Sequence, residues 1–283
     1  MSLAPASASQ EPLVVSEEGP WRRRWSALAR WAPPLSIIVL ALGVWEGAVR
    51  LAHVPRWLLP TPSVIGGELA SSHRLLLRHT GVTLEEVLVG LGLALAAGVV
   101  LAVGIAYSRV LERSVYPFVI ASQTIPIIAI APLLLIWIGY GLLPKVIVVA
   151  LISFFPIVVN TVDGLKSVDP DVVNLMRTLG ASRWQVFTKV QVPTSLPFLF
   201  SGTRVAVAVS VIGAVIGEWV GSSQGLGYLM IRSKPQFLTE RVFAAIFILS
   251  VMGIALFVIT GLVERYVVPW SHTERRQRAL GEE

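Results

Sequence analysis

The sequence predicts an all-α protein that crosses a membrane several times. Only 14% of its 283 residues are charged and 54% are hydrophobic, whereas a soluble domain carries about 25% charged residues. The mean hydropathy is +0.73. Six apolar stretches have about the 20 residues that a helix needs to cross the hydrocarbon core: roughly 34–52, 82–107, 115–138, 144–163, 196–220 and 242–264. The formal net charge of +6 then reads as loop charge that sets topology, not as a nucleic-acid footprint. There is no Cys, which excludes disulfides, thiolate nucleophiles and Cys metal sites. His53, His73, His79 and His272 are scattered without ligand spacing, so no metal site is expected.

Residues 1–32 are rich in Ala, Ser, Pro and Glu and turn basic at Arg22–Arg24. They read as a disordered cytoplasmic tail ending at the membrane interface with Trp21, Trp25 and Trp31. The apolar run that follows is too long and starts too late for a signal peptide. Residues 33–81 hold the first span and a segment on the outer side. Within the span, Glu46 and Arg50 stand four apart and can pair. In the outer segment, Pro60 and Pro62 break any helix, and Ser63 could cap a short one. A core follows over 82–264, then a cytoplasmic tail over 265–283. With the N-terminus inside, 14 Lys and Arg fall on inner segments and 8 on outer ones. That bias favours both termini in the cytoplasm.

Helices in lipid associate through close backbone contact, so small residues mark their interfaces. The second span has Gly90, Ala94, Gly98, Ala102 and Ala106 on one stripe. The fifth has Gly202, Ala206, Ser210 and Ala214 on one stripe and Gly213, Gly217 and Gly221 on another. The third span, with "QTIPIIAIAP", is broken: Gln123, Thr124, Pro126 and Pro132 would lie mid-membrane. Broken helices there often line a transport path. Of the ionisable residues, Arg204 would snorkel from the inner end of the fifth span. Glu218, near its outer end, is a functional candidate by default.

The stretch "NLMRTLGASRWQVFTKVQVP" interrupts the spans with polar residues that look folded. Asp169 can cap a helix, Pro170 suits its first position and Asp171 its positive end. Val172, Leu175, Met176 and Leu179 share a face. Gly180 supplies a left-handed residue at the helix end. Ser182 with Gln185 forms a capping box for a second helix carrying Trp184 and Phe187, and Pro193 and Pro197 mark its exit. Two short helices over about 170–191, with an exposed apolar knob, predict a docking surface.

These residues also carry a resemblance. "RTLGASRWQVF…VPTSLP" resembles the cytoplasmic coupling motif of bacterial ABC importer permeases, Glu-Ala-Ala, three residues, Gly, nine residues, Ile, one residue, Leu-Pro. Gly180 matches the glycine, and Val192-Pro193 stands at Leu-Pro. "VDGLKSVDPD", "IPIIAIAPLLLIWIGYG" and "SGTRVAVAVSVIGAVIGEWVGSSQGLGYLM" resemble the nitrate/sulfonate/taurine-type permeases over residues 33–270. The ending of the fifth span leans to the thiamine-pyrimidine-precursor or riboflavin branch. The resemblance implies a type I importer fold with six spans, in the bacterial inner membrane. It implies ATP-binding cassette ATPase subunits, an extracytoplasmic binding protein and a second permease copy, giving a homodimer. It also implies a small organic or oxyanion-like solute. ATPase docking would involve Asn174, Met176, Arg177, Leu179, Gly180, Ala181, Ser182, Trp184 and Pro193. Asn174-Leu175-Met176 replaces Glu-Ala-Ala, so docking would rest on shape and apolar contact. The path would be lined by Gln123, Thr124, Pro126, Ser210 and Glu218.

The chain has no phosphate-binding G-x-x-x-x-G-K-[ST] loop. It would therefore bind no cofactor itself, with ATP and Mg in the partner ATPase. A self-contained secondary transporter would need coupling ionisable groups mid-membrane and repeated halves; the sequence offers no buried acidic pair and no repeat. An intramembrane enzyme would need a nucleophile with its base, or metal ligands, and none is visible.

Overall fold

The computed structural model describes residues 20–270, with side chains from residue 33 onward. The side chains of Trp21, Trp25, Trp31 and Arg22–Arg24, and the tail after Trp270, therefore lie outside what it describes. All regular elements among the described residues are helical. The chain divides after Val54 into two units.

The first unit holds α1 (Pro20–Leu51), whose apolar stretch is Pro33–Leu51. Leu35 to Leu40 are exposed, as a lipid-facing surface requires. Glu46 and Arg50 pair at 2.5 Å, as their spacing predicts.

The second unit begins at Pro55. Its first helix, α2 (Pro62–Ser71), has Thr61 rather than Ser63 at its N-cap. The two hydroxyls bond each other at 3.0 Å, and Pro62 at the first position fixes where the helix starts. Then α3 (His73–Tyr107) runs for 35 residues, starting nine residues before the predicted span. The polar residues of 73–81 hid its first turns from a hydropathy reading.

After α3 come α4 (Arg109–Ser114), α5 (Tyr116–Ser122) and α6 (Ile127–Ile138). The third span is thus more than kinked: the helical stretch ending at Ser122 and α6 meet at 101°. Pro126 sets α6's N-terminus in extended backbone, where its missing N–H costs nothing. Pro132 sits inside α6 without ending it.

Next is α7 (Leu142–Lys166), the hub of the fold. A Cβ on Gly90 of α3 would strike Val149 at 2.5 Å, and one on Gly98 would strike Ile157 at 2.8 Å. Both numbers rise together, so α3 and α7 run parallel. The bent pair between them must therefore carry the chain back from one end of the bundle to the other, which makes it one broken crossing. The remaining helices are α8 (Pro170–Thr178), α9 (Arg183–Val186), α10 (Val192–Gly221), α11 (Leu226–Ser233) and α12 (Thr239–Val267).

Along α10 the register against α7 is reversed. Gly202 lies on Pro156 and Asn160, Gly213 on Val149 and Gly217 on Lys145. The small-residue stripes of α3 and α10 thus serve contacts inside this chain, with Ala94, Ala102, Ala206, Ser210 and Ala214 buried. Core clusters around Val87, Val149 and Leu249, and around Ile105, Val158 and Val162, fill the spaces between.

Candidate functional site: a coupling corner and a proline-lined groove

The polar insert folds almost as its sequence predicts. Asp169 accepts a bond from the N–H of Asp171 at 2.8 Å and caps α8, with Pro170 at its first position. Gly180 follows with φ +81°, a value that β-branched residues resist. The amides of Gly180 and Ala181 return to Arg177 and Met176 at 2.9 and 3.0 Å. Ser182 and Gln185 close a reciprocal capping box at 2.7 and 3.2 Å.

The exit of the second helix differs from expectation. It does not end at Pro193; the chain stays helical from Arg183 to Gly221. The reason is a π-helical turn, Phe187–Gln191, in which the N–H of Val192 reaches back to Phe187. That wide turn loosens the spiral ahead of Pro193, where a proline in an ordinary α-turn would clash.

The corner is tied to the spans by rings. Tyr107, at the end of α3, packs edge-on against Phe187 with centroids 5.4 Å apart, and Trp184 lies 5.5 Å from the same ring. The Tyr107 hydroxyl donates to Gln191. Beyond this anchor the surface is bare. Leu179 is 74% exposed and Trp184 69%, with Leu175 and Val172 beside them. Asn174, Arg177, Gly180 and Ser182 are exposed too, while Met176, Ala181 and Pro193 are half-buried. The corner is thus a small self-capped unit that presents apolar side chains, the kind of patch that marks interaction sites in other proteins.

The second feature is a groove of about 680 Å³ between the α5–α6 turn, α7 and α10. Two prolines from different helices meet in it, Pro126 and Pro156. Each lacks a backbone donor. In lipid such breaks persist where a cavity or neighbouring groups satisfy the backbone. Gln123 and Asn160 bring amide side chains to the same groove, and Phe155 a ring. Asn160 donates to the carbonyl of Pro156 at 2.7 Å and rests on Gly202, where a Cβ would meet it at 2.8 Å.

Of the residues the sequence suggested for a path, Gln123 and Pro126 line this groove. Thr124 stands at the same turn, exposed, with its hydroxyl given to Ala121 at 2.8 Å. Ser210 and Glu218 lie elsewhere. Ser210 is wholly buried and bonds Val207 at 2.8 Å. Pro156, like Pro126, is a proline inside an apolar run, but the unbroken hydropathy of the fourth span hides it, and Asn160 carries no signal of its own.

Glu218 belongs to a buried polar cluster at the α11 end of the bundle. One carboxyl oxygen accepts from Thr83 at 2.6 Å, the other from the amides of Gly227 and Tyr228 at 2.5 and 3.3 Å. His79 takes the amide of Gly225 at 2.9 Å, and Thr83 that of Leu226 at 2.9 Å. The first backbone donors of α11 are thus met by side chains of α3 and α10. Gly225 is required there: at φ +114°, its Cβ would fall 2.2 Å from the Glu218 carboxyl. Beside it, Glu86 pairs with Lys145, which also donates to Ser222 at 3.0 Å. The sequence did not reveal this buried ion pair, because its residues stand far apart in the chain.

Arg204 pairs with Glu264 of α12 at 2.5 Å, its guanidinium over Phe257, a partner far along the chain that the sequence did not suggest.

Comparison with known proteins agrees with this architecture. Residues 94–269 match the family described as binding-protein-dependent transport system inner membrane component. The chain is 40% identical to the formylaminopyrimidine transport permease protein ThiX of Halalkalibacterium halodurans, over 84% of this chain and 95% of that one. It is 39% identical to the riboflavin transport system permease protein RibX of Chloroflexus aurantiacus, over 92% and 98%. An inward-facing structure of the MetNI methionine ABC transporter superposes with a TM-score of 0.60 at 20% identity, covering 70% of this chain and 97% of the other. The broken crossing, the capped corner and these similarities lead to one conclusion: the chain belongs to the family of binding-protein-dependent inner membrane components, and it is the permease subunit of an ABC importer.

Proposed function

We propose that the 170–191 corner is where an ATP-binding cassette subunit docks, and that the groove at Pro126 and Pro156 is part of the solute's route. The observation that carries this reading is the corner itself. It is held by its own caps, bound to α3 by the Tyr107–Phe187–Trp184 rings, continuous with α10, and apolar where it faces outward. A push on it would reach the spans as a rigid-body movement. ATP and Mg would be held by the ATPase, and an extracytoplasmic binding protein would deliver the solute at the α11 end. Two copies of this chain would enclose the path, with both termini in the cytoplasm. The relatives named for formylaminopyrimidine and riboflavin transport favour a flat nitrogen heterocycle as the solute.

Replacing Gly180 with Val tests the docking role. Forcing a β-branched residue into the left-handed region costs roughly 1–2 kcal/mol locally, enough to disturb the corner without unfolding the bundle. Solute-dependent ATP hydrolysis by the assembled complex should fall about tenfold or more while basal hydrolysis persists. Unchanged coupling in a folded Gly180→Val complex would refute the docking assignment.

A further inference from the structure

A second groove, of about 710 Å³, runs along α10 and α12. Ile128 and Ile216 wall it off from the groove at the proline breaks. On α10 it extends from Ala208 to Trp219, and on α12 from Phe257 back to Ile246. At the helical rise either side is roughly 16 Å long, half of the ~30 Å hydrocarbon core. The groove is therefore one leaflet deep. Its lining is apolar except for the Ser250 hydroxyl, which donates to the Ile246 carbonyl at 2.9 Å, and the indole N–H of Trp219 at one end. Water would find almost nothing to bond there. Gly253 keeps the floor low, since a Cβ on it would touch only Val211, at 3.7 Å. The end nearer the corner is stopped by Phe257, which carries the Arg204 guanidinium over its ring.

At the α11 end, Trp219 is shared with another cavity, of about 630 Å³, walled by Trp57, Met230, Lys234 and Phe237. This mouth is held in shape. The Thr239 hydroxyl donates to the Trp57 carbonyl at 2.6 Å, and the Trp57 and Phe237 rings meet edge-on with centroids 6.2 Å apart. Phe237 sits at φ +57°, a conformation that a bulky residue adopts at an energetic cost and that recurs at binding sites. Lys234 is exposed and pairs with no acid among the described residues, while nearby Glu68 is taken by Arg241 at 2.7 Å. A cation among indole rings suits the headgroup level of a bilayer, and an ammonium with an indole N–H suits a phosphate. We infer that the two cavities together hold one phospholipid, with an acyl chain lying between α10 and α12 and its phosphate at Lys234 and Trp219. A helix from a second copy fits less well, because it would cross the whole core and this groove covers half of it. The inference goes beyond the importer reading and requires no particular solute.

The test uses the complete complex in lipid nanodiscs. The probe is a trace of phosphatidylglycerol with a diazirine at the end of one acyl chain; the comparison probe is a diacylglycerol with the same chain and no phosphate. After irradiation, mass spectrometry should find the phosphatidylglycerol adduct on the peptides that hold Ala208 and Phe257, where a chain anchored at Lys234 would end. The diacylglycerol should label them about tenfold less, as should phosphatidylglycerol in Lys234→Glu, because a charge-assisted bond is lost. Gly253→Leu, which raises the floor, should lower the yield in the same way. Lys234 is exposed, so Lys234→Glu should keep the melting temperature and carries the test if Gly253→Leu fails to fold. Adducts spread evenly over the helices overturn the inference, as does equal labelling by the two probes or a yield that Lys234→Glu leaves unchanged. A disulfide joining two copies of a Ser250→Cys chain would give the groove to the second copy and also overturn it.

Discussion

The two ends of the bundle solve opposite problems. At the α11 end, polar side chains from α3, α7 and α10 converge and are satisfied inside the fold: His79, Thr83, Glu86, Lys145 and Glu218 are all buried. At the 170–191 corner, the backbone is satisfied locally by Asp169, Gly180 and the Ser182–Gln185 box, and the apolar side chains are left outside. One end is a lock made of long-range contacts. The other is a short-range module whose outward face is apolar and exposed. Substitutions at the lock should therefore be read as stability, and substitutions at the corner as coupling.

The largest expected effect is at Lys145. Lys145→Met leaves the Glu86 carboxylate buried without its cation, which costs about 3–5 kcal/mol. A sharp fall in the melting temperature of the detergent-solubilised protein should follow, and adding Glu86→Gln should restore much of it. A Lys145→Met variant as stable as wild type would mean the pair is not buried as described. Next comes Glu218→Ala, which strands the two α11 amides of Gly227 and Tyr228, while the Thr83 hydroxyl keeps the His79 carbonyl as acceptor. A loss of ~2–3 kcal/mol is expected, with faster hydrogen exchange at Gly227 and Tyr228 as its local mark.

The corner should respond more weakly in stability. Asp169→Ala removes one cap and costs about 1 kcal/mol, confined to α8 and visible as local exchange at Asp171. Trp184→Ala is the smallest, within about 0.5 kcal/mol, as for other exposed positions. Yet it should lower solute-dependent ATP hydrolysis several-fold. If Trp184→Ala instead melted the protein, the contrast between the two ends would fail.

What the sequence revealed follows the same division. The corner was legible nearly residue by residue because its determinants are local: a cap, a proline, a glycine, and a box three residues long. Only its junction with the fifth span was misread, because the π-turn ahead of Pro193 has no signature of its own. The lock was hidden because its partners stand far apart in the chain. Lys145 looked like a loop cation and Glu218 like a lone acid. The small-residue stripes announced close packing, but not that α7 receives both. The groove was half visible: Pro126 stood out in a span already marked as broken, whereas Pro156 was masked by a continuous apolar run.

The central claim is that the corner meets the ATPase. The absence of native cysteine allows a clean measurement. Leu179→Cys in the assembled complex, treated with a short bismaleimide, should give an adduct with an ATPase subunit carrying a reactive cysteine, and the yield should change with ATP. Tyr140→Cys, exposed on the loop between α6 and α7 toward the other end, should give none. An ATPase adduct at Tyr140→Cys, with none at Leu179→Cys, would contradict the account.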